Sequence, residues 1–252
     1  MQNIPSDYVA PTDLLAGKII LVTGAGDGIG RAAALAYAKH GATLVLLGRT
    51  VEKLEAVYDE IEAAGYPQAA IFPLDLKTIT EQECESLRDA LEREFGALDG
   101  LLHNAGILGE RRPIESATYP SWTEVMQVNV NAQFLLTQSL LPLLQAAPTA
   151  SIIFTSSGVG RTGRAFWGAY AVSKFATEGL MQVLADELEN ISKVRVNSLN
   201  PGATNTAMRR TAYPGEKPST NPSPKDIMPA YLYLMGKDSI GITGKAYNAQ
   251  PL

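Results

Sequence analysis

The sequence predicts an α/β fold: a doubly wound, seven-stranded parallel sheet with helices on both faces. Short, near-continuously apolar runs alternate with longer stretches carrying apolar residues at i, i+3, i+4 and i+7, and glycine-rich turns mark the joins. Strands buried on both faces read as unbroken apolar runs. Strands separated by helices connect as right-handed βαβ units, which makes the sheet parallel.

The elements follow in order. Strands are expected over 18–23, 42–47, 69–74, 98–103, 151–155, 194–199 and 245–248, and helices over 29–40, 51–64, 81–95, 122–144, 170–190 and 225–235. No repeat or low-complexity block interrupts them, so residues 17–252 read as one domain. Residues 1–16 carry Pro5 and Pro11 and read as an arm laid on the surface. Residues 202–224 hold Pro214, Gly215, Pro218, Pro222 and Pro224. A long loop in a compact domain is usually functional. This one leaves the strand ends where open α/β sheets bind ligands, so it reads as a substrate lid.

Composition excludes several classes. With 21 basic and 26 acidic residues among 252, the net charge is −5, and no basic field exists to hold a nucleic acid. No apolar stretch is long enough to span a membrane. The N-terminus lacks the charged and apolar regions of a signal peptide. Cys84 is the one cysteine and His40 and His103 the two histidines, too few for a disulfide or a typical zinc site. No metal is expected, and the cytoplasm is the expected compartment. Cys84 stands among Glu81, Glu83 and Glu85, whose charges disfavour a thiolate, so it reads as inert.

Three segments carry chemistry. Thr23–Gly30, T-G-A-G-D-G-I-G, joins the first strand to the first helix. Its glycines permit a tight turn and close approach of a pyrophosphate to free N–H groups at a positive helix end. His103–Gly106, H-N-A-G, follows the fourth strand. Asn104 there can bridge backbones, Ala105 and Gly106 leave room for a ribose, and His103 reads as a packed strand-end residue. The fifth strand ends in F-T-S-S, and thirteen residues after Ser157 comes Tyr170, with Lys174 four further on. Tyr213/Lys217 and Tyr233/Lys237 share that spacing. The first spans Pro214 and Gly215, and the second spans Gly236 at a helix end. Only Tyr170/Lys174 lies in a good helical pattern, on one face.

Together with Pro201-Gly202, these motifs resemble the short-chain dehydrogenase/reductase family over about residues 17–248. M-Q-V-N-V-N-A and M-P-x-Y-L-x-L-M-G further resemble its YciK-type bacterial oxidoreductases. The resemblance implies a Rossmann-like domain, a homodimer or homotetramer, moving hydride between a nicotinamide and the CH–OH or C=O carbon of a small molecule. It places a catalytic tetrad on Asn129, Ser157, Tyr170 and Lys174. Asn131 and Ser156 are the competitors that the family pattern and the thirteen-residue spacing pass over. Cofactor contacts are implied at Thr23, Gly24, Asp27, Gly28, Ile29 and Gly30, at Arg49, Asp75 and Leu76, and at Asn104, Ala105 and Gly106. Tyr170, Lys174, Pro201, Gly202, Thr204 and Thr206 complete that set. Substrate contacts are expected at Ser157, Tyr170 and Trp167.

In that reading Tyr170 is the general acid/base, and Lys174 together with the positive charge of the oxidised nicotinamide is expected to lower its pKa. Asn129 is expected to anchor a water that re-protonates the Lys174 side. NADP(H) is expected over NAD(H), which remains possible. The second strand ends in Gly48 and Arg49, with no carboxylate for a ribose 2′-OH and a guanidinium suited to a phosphate. Asp27 opposes that preference. Arg161 and Arg164 read as solvated or intersubunit groups rather than anion ligands. The alternative function is a silent dinucleotide-binding regulator or scaffold. The C-terminal A-Y-N-A-Q departs from the family's Asp-Gly-Gly and leaves that end's role open.

Overall fold

A computed structural model describes residues 2–5 and 7–251. The chain runs β1 (Gln2–Asn3), β2 (Ile19–Thr23), α1 (Gly28–Lys39), β3 (Thr43–Gly48), α2 (Val51–Ala63), β4 (Ala70–Pro73), α3 (Glu81–Phe95) and β5 (Gly100–His103). It continues α4 (Tyr119–Met126), α5 (Ala132–Ala146), β6 (Ala150–Thr155), α6 (Gly168–Leu188), β7 (Val194–Asn200), α7 (Ala207–Ala212), α8 (Met228–Met235) and β8 (Ala246–Asn248). All pairings are parallel, in the order β1-β8-β7-β6-β5-β2-β3-β4.

The sheet has eight strands where the sequence predicts seven. The extra one comes from the arm, where Gln2 and Asn3 pair with Tyr247 and Asn248 at the sheet edge. A two-residue exposed strand carries no apolar alternation to betray it. Nor is the arm only superficial: Leu14 and Leu15 are buried, and the Leu14 side chain fills the space a Cβ on Gly236 would need.

Helix ends follow local chemistry. Thr80 and Glu83 form a capping box at the start of α3, and Gly96 closes it at φ 73°. The single helix expected over 122–144 starts earlier, because Thr118 caps it and Pro120 suits its first turn. It is also interrupted by a π-turn over Gln127–Asn131. Such bulges insert a residue into the helical ladder and recur at functional sites.

Two apolar layers sandwich the sheet. One packs α1, α2 and α8 against one face, and the other packs α3, α5 and α6 against the opposite face. Truncating a fully buried leucine there, such as Leu46, costs ~2–5 kcal/mol. The chain winds outward through β2, β3 and β4, then returns to place β5 on the other side of β2. That reversal opens a crevice at the carboxyl ends of β2 and β5.

Candidate active site

The glycine loop opens the crevice. Gly24 and Gly28 hold φ of 67° and 53°, left-handed conformations that suit glycine. Asp27 caps α1, its Oδ1 accepting from Gly28 N at 2.7 Å. A Cβ on Gly28 would meet only the Thr206 methyl, at 3.6 Å, so the loop backbone faces open space. Two predicted contacts turn inward instead. A Cβ on Gly30 would lie 2.2 Å from Gly24 O, so that glycine serves loop packing. Thr23 is buried, with its hydroxyl accepting from Asn104 N and Ala105 N at 3.0 Å. It braces the second loop rather than facing the cleft.

Arg49 follows β3, and Asp75 and Leu76 follow β4, on the same crevice. Lys53, on the first turn of α2, pairs with Asp27 and holds that carboxyl below its ordinary value. Gly26 admits this approach, since a Cβ there would lie 2.8 Å from Lys53 Cβ. Asp27 therefore opposes a phosphate less than its charge alone suggests.

The π-turn delivers Asn129 inward, fully buried, while Asn131 faces solvent and bonds Gln127. Asn129 Oδ1 accepts from Ile107 N at 2.8 Å, and Nδ2 donates to Ile107 O at 2.9 Å and Ser173 Oγ at 3.0 Å. With both amide hydrogens committed, the side chain fastens the loop after Asn104-Ala105-Gly106 to α6. A Cβ on Gly106 would lie 3.2 Å from Asn129 Oδ1 and 3.8 Å from Lys174 Nζ.

Tyr170 and Lys174 share the inner face of α6, with Ser157 opposite, on the turn after β6. Burial raises the Tyr170 hydroxyl to about 12 against a lowering hydrogen bond from Ser157. Lys174 Nζ is 5.7 Å from the Tyr170 ring centre and donates to Thr155 O at 2.8 Å. Burial lowers Lys174 to about 8, with Glu178 pulling the other way. Ser156, the competitor to Ser157, is buried and its hydroxyl has no partner.

The far wall is α7 and its flanks. Trp167 packs between Tyr170 and Tyr213 with tilted rings, their centres 5.7 and 5.9 Å away. Arg111 lies over both the Trp167 and Tyr213 rings and donates to Ala212 O. Residues 202–224 are not a structureless loop: α7 is capped by Thr206, and Arg209 Nε pairs with Glu216 Oε2 at 2.6 Å. Gly202, at φ 73°, packs against Gln250, whose amide donates to Pro201 O at 2.8 Å and Ala203 O at 3.0 Å.

These parts enclose one continuous cleft of about 540 Å³. It runs from Arg49 and Asp75, past Gly24, Asp27, Gly28, Ile29, Asn104, Ala105 and Gly106, to Ser157, Trp167, Tyr170 and Lys174. Pro201, Gly202, Thr204 and Thr206 close it, and the open glycine backbone at one end fits an elongated dinucleotide.

Residues 18–217 match the short chain dehydrogenase family. The chain belongs to that family. It is 54% identical to the uncharacterized oxidoreductase YciK of Escherichia coli over 97% of this chain and 96% of the other. Its structure is similar to that of a Pseudomonas syringae protein assigned to the short chain dehydrogenases, at TM-score 0.96 and 61% identity, covering 97% and 99% of the two chains. It is also similar to a Shigella flexneri short chain dehydrogenase complexed with NADP, at TM-score 0.91 and 55% identity over 96% and 100%.

Among the groups outside the cleft, Arg161 departs from its sequence reading, while His103 and Cys84 keep theirs. Arg161 is not solvated: its guanidinium bonds Glu178 at 2.9 Å and Asn248 at 2.8 Å inside the protein. His103 is buried, stacked on Phe154 and bonded to Thr137, with burial lowering it to about 3. Burial and the neighbouring glutamates raise Cys84 to about 11. Among the described residues no cluster fits a metal, and no helix is long and apolar enough to cross a membrane. Lys53, Ser173 and Gln250 escaped the sequence reading, since each acts on a partner far away in the chain.

Proposed function

We propose that this protein is an NADPH-dependent carbonyl reductase, or the reverse alcohol dehydrogenase, acting on a small molecule. The observation that carries the reading is a buried Tyr170 flanked by Ser157 and Lys174 at the inner end of a dinucleotide-shaped cleft. The nicotinamide, when bound, supplies or accepts the hydride. Arg49 and Lys53 offer cations at the adenine end, which suit a 2′-phosphate better than a bare ribose.

The residues divide the remaining work. Ser157 and the Tyr170 hydroxyl share the face that a substrate oxygen must approach. With its pKa raised to about 12, Tyr170 carries its proton at neutral pH, which suits proton donation to a forming alkoxide. Lys174 supplies positive charge beside the ring, and Trp167, Leu108, Met208 and Ala212 give the substrate an apolar wall. Phe134, Val172, Phe175 and Val183 are exposed on α5 and α6, which supports assembly of two or four copies.

A panel of ketones, aldehydes and alcohols assayed with both nicotinamide cofactors tests the reading. NADPH consumption on at least one carbonyl compound is expected. Tight cofactor binding with no turnover across the panel would point to a silent regulator or scaffold.

A further inference from the structure

The two halves of the site are joined behind Lys174 by a buried ion pair. Arg161 lies four residues beyond Ser157, and Glu178 lies one helical turn beyond Lys174. Arg161 Nε donates to Glu178 Oε1 at 2.9 Å, and the two side chains are 13% and 8% exposed. Both members are bonded to further groups, although Asn248 Nδ2 beside them is buried without a partner. Glu178 Oε2 accepts from Ser198 Oγ at 2.6 Å, while the remaining Arg161 nitrogens reach Asn248 Oδ1 at 2.8 Å and Tyr247 O at 3.0 Å.

The connections extend to the cofactor end of the cleft. Asn248 Oδ1 also accepts from Asn200 Nδ2 at 3.1 Å, and Asn200 Oδ1 accepts from Gly202 N at 3.1 Å. The Ser157 turn meanwhile lies hard against α6. A Cβ on Gly160 would sit 2.7 Å from Lys174 Cβ and 2.8 Å from its carbonyl carbon. The planar guanidinium, engaged on three sides, is a second tie between that turn and α6.

We propose that Arg161 and Glu178 are positioning residues that set Ser157 in register with Tyr170 and Lys174, and through Asn248 and Asn200 hold the Gly202 loop. The proposal rests on the reductase reading for its kinetic consequence and on geometry alone for its structural one. A buried ion pair by itself contributes little net stability. A pair bonded to several neighbouring groups fixes geometry instead. Displacing a reacting group by about 1 Å can lower a rate ~10²-fold.

Arg161→Lys tests this, because a single ammonium cannot reach Glu178, Asn248 and Tyr247 together. Its crystal structure with NADP should show Ser157 moved by about 1 Å relative to Tyr170. On a carbonyl compound that the parent reduces, kcat should fall between about tenfold and ~10²-fold, with substrate KM and the NADPH Kd within about threefold. Arg161→Met/Glu178→Met separates positioning from stability, since it removes both charges and leaves neither stranded. Its melting temperature should lie nearer the parent's than that of either single variant, while kcat stays low. Parental kcat in the folded Arg161→Lys protein or in the double variant, or an unmoved Ser157, would overturn the proposal. If the parent reduces nothing, the reductase reading falls, and the position of Ser157 in the variant crystals still decides the positioning claim.

Discussion

Lys53 on α2 and Asp27 at the start of α1, 26 residues apart, form an ion pair across the mouth of the cofactor cleft. The carboxylate holds, within the free protein, the cation that a bound 2′-phosphate would claim. Asp27→Asn keeps the helix cap and releases Lys53, so NADPH should bind several-fold tighter with little change for NADH. Arg49→Ala should weaken NADPH about ten- to a hundredfold, the scale of one charge-assisted bidentate contact. Titration of both cofactors into the three proteins checks this. An unchanged NADPH:NADH ratio in Arg49→Ala would remove the assignment of Arg49 to the phosphate.

Burial of Lys174 has a signature in stability. Its pKa in the folded protein, about 8, lies below the ordinary 10.5. The cost of burying its charge is therefore fully present below pH 8 and is relieved as pH rises toward 10.5. Removing the charge with Lys174→Met should raise the melting temperature relative to the parent most below pH 8, with the gap closing toward pH 10.5. Thermal scans of both proteins across that window check the sign. A gap that widens with pH would contradict the assigned burial. Lys174→Met should also lose turnover.

Gln250 clamps the loop that closes the nicotinamide end of the cleft, through Pro201 O and Ala203 O. Gln250→Ala leaves that loop held mainly by Asn200 and Thr204. The NADPH Kd should rise by about three- to tenfold, about 1 kcal/mol for one neutral hydrogen-bonding group. Fluorescence titration reads it directly, and an unchanged Kd would make Gln250 a bystander.

The fold was legible because its signals are local. Each of the seven apolar runs is a strand, and the glycine loop sits where a strand meets a helix. Tyr170 and Lys174 could be read as a pair because their spacing is itself the helical period. What escaped depends on partners distant in the chain. Lys53 looks like any exposed helix lysine until the fold brings it to Asp27, and Gln250 stands 49 residues from the carbonyl it holds. Arg161 read as solvated or intersubunit because nothing in its neighbourhood announces Glu178, Asn248 and Tyr247. The π-turn at Asn129 escaped because an inserted residue leaves helical periodicity intact on either side of it.

The central claim is that Tyr170 donates the proton in an NADPH-dependent carbonyl reduction. The most direct measurement compares the parent with Tyr170→Phe on one carbonyl compound, following NADPH absorbance and measuring the NADPH Kd of each. Phenylalanine keeps the packing against Trp167 and removes the transferable proton. The account predicts the same Kd within about twofold and a rate lower by ~10²–10⁴. A Tyr170→Phe protein that binds NADPH and keeps more than a few per cent of the parent's rate would contradict it.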